Sequence, residues 1–378
     1  MQNKKNVLVY GLGNNLGGIE NFIFNYVINT NSQHIQFDFV CYDNKPVYYQ
    51  ELLNIGSNIY IITSRRKNYI SHRKQLKDIF EKKKYDAVWS NIVSLSDILI
   101  LKYAYIYKVK KRIVHAHNAF IRPELILTIV LHHINKMQLK KYCTNFWACS
   151  QKAGRFMFPN QLFQSPVFKI IHNAIDIKKF LFSKEKRAEK RKEINIKDKF
   201  VIGHVGDFCF EKNHSFLIQV FSEIYKKRND AVLVLIGNGK LLEKIKFQAE
   251  KLGLQENVYF LGKRTDISGL LHAMDVFMFP SWHEGLWISV IEAQATGLKC
   301  FISDALPPEL LITNLVHPIS LKKPAVLWAN TILEKQEQDI ERRTDIENMK
   351  RAGYDIRTEA AYLENWFIKH DGETCNDS

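Results

Sequence analysis

The sequence lacks the features that mark several common protein classes. Its six cysteines form no Cys-x-x-Cys pair and share no spacing with paired histidines, which disfavours zinc sites and disulfide frameworks. Asp-x-Asp occurs nowhere in the chain, so the usual carboxylate grip on a metal–diphosphate complex is missing. We therefore expect reduced thiols, no bound metal and no resident cofactor.

Long apolar runs are missing as well. The most apolar stretches are Ile92–Tyr107 and Leu125–Ile134, and the first is broken by Asp97 and Lys102. A membrane-spanning helix needs about 20 consecutive apolar residues. The N-terminal residues are followed by only a short apolar run, Val7–Tyr10, so no signal peptide is expected. These absences predict a cytoplasmic protein.

Positive charge is concentrated in the first half of the chain. Residues 1–180 hold 26 Lys and Arg against 10 Asp and Glu, whereas the remaining residues hold 28 against 29. Such a face attracts the phosphates of a membrane surface, a lipid pyrophosphate or a nucleic acid, although a solvated basic surface without a partner explains it equally. The basic clusters are Arg65–Lys67, Arg73–Lys77, Lys82–Lys84, Lys108–Arg112 and Lys136–Lys141.

Short apolar runs alternate with amphipathic segments along the whole chain. This alternation is typical of βαβ units that build a parallel sheet with helices on both faces. The predicted strands are Val7–Tyr10, Phe37–Cys41, Ile59–Ile62, Ala87–Trp89, Arg112–His115, Phe146–Cys149, Phe200–Val205, Ala231–Ile236, Asn257–Phe260, Val276–Phe279 and Lys299–Ser303.

The charged segment Lys178–Asp198 interrupts the alternation and is predicted to be a solvated, partly helical connector. We therefore predict an α/β protein with two facing, doubly wound domains: residues 1–180 on the acceptor side and 181–350 on the nucleotide side. Residues 351–378 should form a helix that packs back on the first domain, followed by a polar tail. Because ligands of such sheets bind at the carboxyl ends of the strands, a cleft between the domains is the expected site.

The segment Asp275–Gly297 carries the candidate site. A buried strand ends near Pro280, and Glu284-Gly285 stands where the next helix begins, with unpaired amides and a positive dipole. Glu292 follows eight residues after Glu284, so the two carboxylates can hold different parts of one sugar-containing ligand. Two surface glutamates would show the same spacing.

The wider sequence resembles the family-4 retaining glycosyltransferases, which have two facing Rossmann-like domains and an E-x7-E signature. The match is nearest to the branch that makes bacterial capsules and exopolysaccharides, and it covers about residues 7–315. The matching segments, in the family's order, are Gly17–Phe22, Ala148–Ser150, Asn173–Asp176, Gly203–Gly206, Lys212–His214, Gly237–Gly239, Leu261-Gly262, Glu284–Glu292 and Ser303-Asp304.

The resemblance implies a role for each candidate residue. Glu292 would accept hydrogen bonds from the donor's ribose, Glu284 would contact the sugar, and Lys212 would face the diphosphate. The amides of Gly285 and Leu286 would lie beside the ligand, and those of Gly17 and Gly18 would approach the phosphates. The turn Gly262–Asp266, which contains Arg264, would frame the base. His117, which is favoured over His115, would contact the sugar or acceptor from a strand end; it could also be structural.

The implied reaction is metal-independent transfer of a hexose or N-acetylhexosamine from a UDP-sugar. The acceptor would be a polyprenyl-pyrophosphate-linked glycan or a polysaccharide. The basic first domain would hold the protein at the anionic inner face of the plasma membrane, and no nucleic acid is expected as a partner.

Two positions depart from the family pattern. Asp207 stands where the family usually has an arginine that completes the diphosphate clamp. Either Lys263 or Arg264 compensates for the missing cation, or Asp207 pairs with Lys212 and weakens catalysis. Trp287 replaces a common proline, where it either stacks on a ligand or packs.

Four other functions remain open from the sequence. Gly11-Leu-Gly13-Asn-Asn-Leu-Gly17 suggests an oxidoreductase, but its spacing is GxGxxxG rather than GxGxxG. The basic half suggests a nucleic-acid binder, but no recognised motif accompanies it. A sugar-nucleotide epimerase or phosphorylase would share the two-domain plan. A transferase that only binds its donor is the fourth, because of Asp207.

Overall fold

The computed structural model describes residues 4–14, 17–42, 44–121, 124–282, 288–337 and 342–369. The chain forms two compact units, one of Met1–Ala174 with Asp355–Ser378 and the other of Ile175–Tyr354. The second unit begins a few residues before the predicted boundary near 180. The reason is that Ile175, Ile177 and Phe180 are buried in its core.

The first unit contains a seven-stranded parallel sheet. Its strands are β1 (Lys5–Tyr10), β2 (Ile35–Tyr42), β3 (Ile59–Ile62), β4 (Ala87–Ile92), β5 (Lys111–Ala116), β6 (Asn145–Ala148) and β7 (Phe168–Ile170). They lie in the order β3-β2-β1-β4-β5-β6-β7. Its connecting helices are α1 (Gly18–Ile28), α2 (Tyr49–Asn54), α3 (Tyr69–Lys82), α4 (Leu99–Ile106), α5 (Ile126–Tyr142) and α6 (Gln151–Met157).

The second unit contains a six-stranded parallel sheet. It opens with helices α7 (Ile177–Phe180) and α8 (Lys184–Glu193). Its strands are β8 (Phe200–Val205), β9 (Ala231–Ile236), β10 (Val258–Phe260), β11 (Val276–Phe279), β12 (Lys299–Ser303) and β13 (Val316–Ile319), in the order β10-β9-β8-β11-β12-β13. The remaining helices are α9 (His214–Lys227), α10 (Leu242–Lys251), α11 (Ile267–Ala273), α12 (Ile288–Ala295), α13 (Ala325–Glu337) and α14 (Ile346–Arg351).

The central strands form where the sequence is continuously apolar. Every residue of β4 and β9 is buried, as expected for parallel strands covered on both faces. The strands β7 and β13 were not predicted. β7 has only three residues, none fully buried, and the apolar run of β13 is broken by His317 and Pro318. Proline is tolerated there because β13 is an edge strand.

The charged connector is less solvated than predicted. Two arginines of α8 turn inward to Asp275, the residue before β11: Arg187 pairs with its Oδ1, and Arg191 Nη2 lies 2.6 Å from its Oδ2. Arg191 Nε also donates to the Ala273 carbonyl at 2.9 Å. The connector therefore holds residues 273–275, which lead into β11, because their buried carbonyl and carboxylate groups need hydrogen-bond donors.

The last helix, α15 (Ile356–Ile368), packs on the first unit. Ile356, Ala360, Leu363 and Phe367 are buried in its core. The Phe367 ring centroid lies 6.1 Å from that of Trp89 on β4. Within the described ranges, no helix is long and apolar enough to cross a bilayer.

Candidate active site

Lys212 lies at the carboxyl end of the second sheet. It closes the short 3-10 turn Phe210–Lys212 that follows β8, and its Nζ is 4.6 Å from the centroid of the Phe279 ring at the end of β11. A Cβ at Gly206 would come within 3.0 Å of the Lys212 stem. The glycine thus leaves room for the stem, and the ammonium is held above the ends of β8 and β11.

The turn that carries Lys212 is fastened to the chain after β11. The Trp282 amide donates to the Glu211 carbonyl at 2.9 Å, and Asn213 Nδ2 donates to the Pro280 carbonyl at 3.2 Å. These bonds place Lys212 beside the segment that leads into residues 283–287. The predicted site residues Glu284, Gly285 and Leu286, and also Trp287, lie outside the described residues, so their roles stay predictions.

Glu292 lies on α12, the helix that follows this segment. Its side chain is half-buried, and no described residue forms a hydrogen bond or ion pair with its carboxyl group. Burial raises the pKa of this carboxyl to about 8, because desolvation penalises the charged form. A desolvated carboxyl group without a partner among the described residues is suited to pair with a ligand hydroxyl.

Glycines bring the loops after β8, β9 and β10 into contact. Gly237 has φ +147°, and a Cβ there would lie 2.1 Å from the Gly206 carbonyl oxygen, so only glycine fits. The Gly237 amide donates to the Gly262 carbonyl at 2.9 Å. The turn predicted to frame the base therefore lies next to the loop that follows β9.

The Arg264 side chain is held within the second unit. Its Nε lies 2.7 Å from Asp266 Oδ1, and its Nη2 lies 2.6 Å from Asp266 Oδ2 and 2.9 Å from Glu193 Oε1. These bonds raise the pKa of the guanidinium and lower that of Asp266. Because the guanidinium already has two acidic partners, it is poorly placed to replace the missing clamp cation. A role for its backbone beside the base stays a prediction.

Asp207 is exposed directly after Gly206. Among the described residues, its carboxylate forms no ion pair, so the structure gives no support to the alternative in which it pairs with Lys212. Lys263 is also exposed and remains a candidate for the compensating cation.

In the first unit, the glycine loop before α1 carries an acidic side chain. Gly17 is the N-cap of α1, and the Glu20 carboxylate folds back so that its Oε1 accepts from the Gly13 amide at 3.2 Å. A Cβ at Gly13 or Gly17 would lie within 2.8 Å of a Glu20 oxygen. A phosphate at the Gly17 and Gly18 amides would meet this negative charge, so their phosphate role stays a prediction.

His117 follows β5 and is buried beside the end of β4. Its Nε2 lies 2.9 Å from Asn91 Oδ1, which accepts, so Nε2 carries the proton. Its Nδ1 is buried without a described partner. Burial lowers the pKa of His117 to about 3, so the ring is neutral and can accept a hydroxyl hydrogen bond but not supply a cation. His115 instead accepts from Trp89 Nε1 at 3.2 Å, which makes it structural.

Two residues near these sites were missed in the sequence. Asn91 fixes the tautomer of His117, and Glu20 occupies the start of α1. Glu20 could have been found, because it directly follows Gly17-Gly18-Ile19 and acidic side chains favour the first turn of a helix. Asn91 gave no signal, because its contact with His117 depends on the order of strands in the sheet.

Comparisons with known proteins agree with this architecture. Residues 186–352 match the family model described as glycosyl transferases group 1. The chain is 30% identical over 373 residues to "Putative glycosyltransferase EpsF" of Bacillus subtilis (strain 168), covering 96% of each chain. It is also 30% identical over 177 residues, 46% of each chain, to an Escherichia coli enzyme, UDP-Gal:alpha-D-GlcNAc-diphosphoundecaprenol alpha-1,3-galactosyltransferase.

Among solved structures, the fold is similar to Anabaena Alr3699/HepE in complex with UDP and glucose. The TM-score is 0.70 at 16% identity, over 96% of this chain and 95% of that one. The predicted pair of Rossmann-like domains is therefore confirmed.

Proposed function

Because the chain belongs to the group 1 glycosyltransferases, we propose that it transfers a hexose or N-acetylhexosamine from a UDP-sugar to a lipid-linked or polysaccharide acceptor. The reaction proceeds without a metal ion and with retention at the anomeric carbon. It contributes to the synthesis of a cell-surface polysaccharide on the cytoplasmic side of the membrane.

Glu292 is the observation that carries this proposal. Its carboxyl group is desolvated and has no described partner, while Lys212 is held at the carboxyl end of the same sheet. A ribose diol offers two hydroxyl groups that can hydrogen-bond to the Glu292 carboxyl group, and a diphosphate offers an anion that can approach the Lys212 ammonium. A nucleoside diphosphate sugar contains both groups in one molecule.

The names of related proteins support the choice of donor and acceptor. The Escherichia coli relative is named for a UDP-activated galactose and for an acceptor linked to diphosphoundecaprenol. The similar fold of Alr3699/HepE was solved with UDP and glucose. We therefore propose a UDP-sugar as the donor and a lipid-linked glycan as an acceptor for this chain.

Calorimetric titration with UDP and a panel of UDP-, GDP- and dTDP-sugars tests the donor. Glu292→Ala should weaken binding of the UDP-sugar about ten- to hundredfold, because the variant loses the two hydrogen bonds to the ribose hydroxyl groups. Glu250→Ala, at an exposed position on α10, is the matched control and should bind as wild type. Full affinity in Glu292→Ala would refute the assigned role.

Two further measurements test the reaction itself. Activity should persist in a chelator, and the product should keep the anomeric configuration of the donor in its NMR coupling constants. Loss of activity in chelator, or an inverted product, would contradict the corresponding part of the proposal.

A donor-binding protein with little transferase activity is the second candidate, because Asp207 stands exposed where a cation is expected. Replacing Asp207 by Arg should raise the turnover number if this candidate is correct. If the wild-type protein already turns over and the variant is no faster, this candidate fails.

A further inference from the structure

The helix α5 exposes an apolar surface. At about 100° per residue, five apolar side chains fall within one third of its circumference, and we call them the outward face of α5. Their exposed fractions are 70% for Ile126, 70% for Leu127, 48% for Val130, 42% for Ile134 and 80% for Met137. A water-facing helix surface normally carries polar side chains, so this one is suited to a partner.

The inward face of α5 carries two polar side chains beside the buried Leu139. His132 and Asn135 are buried there, and both bind the backbone of Leu95 in the loop after β4. The Leu95 amide donates to His132 Nδ1 at 3.2 Å, and Asn135 Nδ2 donates to the Leu95 carbonyl at 2.6 Å. These bonds fix the rotation of the helix about its axis. The apolar side chains therefore cannot turn inward without leaving the Leu95 groups unpaired.

Cations gather at the carboxyl end of α5. Lys140 and Lys141 are exposed in its last turn. Lys102 adds a third cation, because its Nζ lies 5.4 Å from the ring centroid of Tyr142, the last residue of the helix. Apolar side chains flanked by lysines and arginines are the composition of helices that lie in the surface of an anionic bilayer.

A pocket of about 580 Å³ lies at the other end of the helix. Leu125–Thr128 and Leu131 form one wall, while Arg65 and Arg66 form part of another. Tyr10 and Tyr42, the last residues of β1 and β2, place it at the carboxyl edge of the sheet, and Asp97 and Glu124 also line it. Ile126 and Leu127 belong both to the pocket and to the outward face, so the apolar surface runs directly to its opening.

We propose that the outward face of α5 lies on an anionic lipid bilayer and brings a lipid-linked acceptor from the membrane to this pocket. The bilayer contact stands on the exposure and charge of α5, whereas the acceptor in the pocket rests on the proposed function. The phosphates of the acceptor face the exposed Arg66, beside Arg65, whose Nη1 donates to the Ser96 carbonyl at 2.7 Å and whose Nε lies 3.8 Å from Asp97 Oδ2. The lipid chain of the acceptor stays in the bilayer along the outward face.

This contact differs from the basic clusters that the sequence suggested. The Lys111 ammonium binds the carbonyls of Trp366, Phe367 and Lys369, at 2.7, 3.1 and 2.8 Å. Lys83 pairs with the buried Asp38 at 2.7 Å. Both cations hold the first unit together, so the Lys82–Lys84 and Lys108–Arg112 clusters have fewer charges to offer a membrane than their sequences suggest.

Vesicle co-sedimentation of the full chain tests the proposal. The probe is phosphatidylglycerol mixed with phosphatidylcholine, with phosphatidylcholine alone as the neutral comparison. Leu127→Ser combined with Met137→Ser should weaken binding to the anionic vesicles about tenfold or more, since each fully buried apolar side chain is worth more than a factor of ten. Ile70→Ser combined with Ile106→Ser removes two equally apolar side chains, 80% and 62% exposed, from α3 and α4 and should bind as wild type.

A charge pair of variants locates the anionic contact. Lys140→Gln with Lys141→Gln should weaken vesicle binding by up to about 25-fold, because each basic residue near the surface is worth about fivefold. Lys82→Gln with Lys84→Gln is the matched control and should change it little. All four variants should keep the far-ultraviolet circular dichroism of wild type, because the replaced side chains are on the surface.

The outcomes separate this proposal from competing ones. Absence of vesicle binding by wild type, or equal losses in the α5 variant and its control, would overturn it. So would a wild-type dimer that Leu127→Ser with Met137→Ser converts to monomer without changing vesicle binding, because a second copy would then cover the outward face. Donor titration of the same variants should be unchanged; a failure there, or in Glu292→Ala, concerns the proposed function and not the membrane contact.

Discussion

Replacing Glu292 by Gln should stabilise the protein at alkaline pH while it weakens donor binding. The carboxyl is half-buried without a described partner, and burial raises its pKa from 4.5 to about 8. Between these two pKa values the carboxyl group is ionised in the unfolded state but still protonated in the folded state. The folded protein therefore loses stability as the pH rises from the unfolded pKa through the folded one, and glutamine, which does not ionise, avoids this loss.

The size of the effect follows from the two pKa values. Between pH 6 and pH 8.5 the advantage of the variant should grow by about 2.5 kcal/mol if the whole shift is realised, at about 1.4 kcal/mol per pKa unit. Because the side chain is only half-buried, solvent screening reduces the expected gain to about 1–2 kcal/mol. For a unit of this size, such a gain raises the melting temperature by about 2–8 °C.

Scanning calorimetry at pH 6 and pH 8.5 measures this difference. The control is Glu250→Gln, whose exposed carboxylate should give the same melting temperature as wild type at both pH values. Titration with the UDP-sugar on the same samples should show that Glu292→Gln binds more weakly. The reasoning is wrong if the advantage of Glu292→Gln over wild type is equal at both pH values, or if the stabilised variant keeps full donor affinity.

Three other substitutions test the remaining contacts. His117→Ala should lower the turnover number about tenfold with donor affinity unchanged. The wild-type rate should show no titration near the ordinary histidine pKa, because burial lowers the pKa of this ring to about 3. A change of the wild-type rate near pH 6.5 that disappears in the variant would contradict this. Lys212→Ala should lower the specificity constant for the donor about ten- to hundredfold, whereas the control Lys244→Ala on α10 should leave it unchanged. Equal specificity constants in Lys212→Ala and wild type would exclude a diphosphate contact. Asp275→Asn should lower the free energy of unfolding in urea by about 2–4 kcal/mol, because it leaves two inward-facing arginines without their carboxylate, whereas Asp230→Asn in an exposed pair should cost less than about 1 kcal/mol.

The order of elements could be predicted because parallel strands covered on both faces are nearly all apolar. All eleven predicted strands are present, and in the described part of the chain the three-residue β7 and the proline-containing β13 are the strands that were missed. The connector is partly helical and mostly exposed, as predicted, but the inward turn of two of its arginines was not foreseen. Sequence periodicity cannot show that Arg187 and Arg191 meet Asp275, which lies in another part of the chain.

The positions of the candidate residues in the fold were predictable where they depend on local spacing and not where they depend on partners. Lys212 lies at the carboxyl edge of the sheet because it is in the loop that follows β8. The engagement of Arg264 by Asp266 and Glu193 could not be foreseen, since it depends on where α8 packs. The orientation of α5 is a similar case, because its pattern reveals an apolar stripe but gives no sign that the stripe faces outward.

The return of α15 to the first unit has a consequence for how the chain acquires its structure. Its apolar side chains complete a core whose other members belong to Met1–Ala174, and the whole of the second unit intervenes. Closure of such distant pairings is slow, because the loop entropy is lost before the contacts form. The second unit is one continuous segment and can fold as soon as it has been synthesised. The first unit cannot bury Trp89 fully until the final helix docks, so a chaperone would be most useful during that interval.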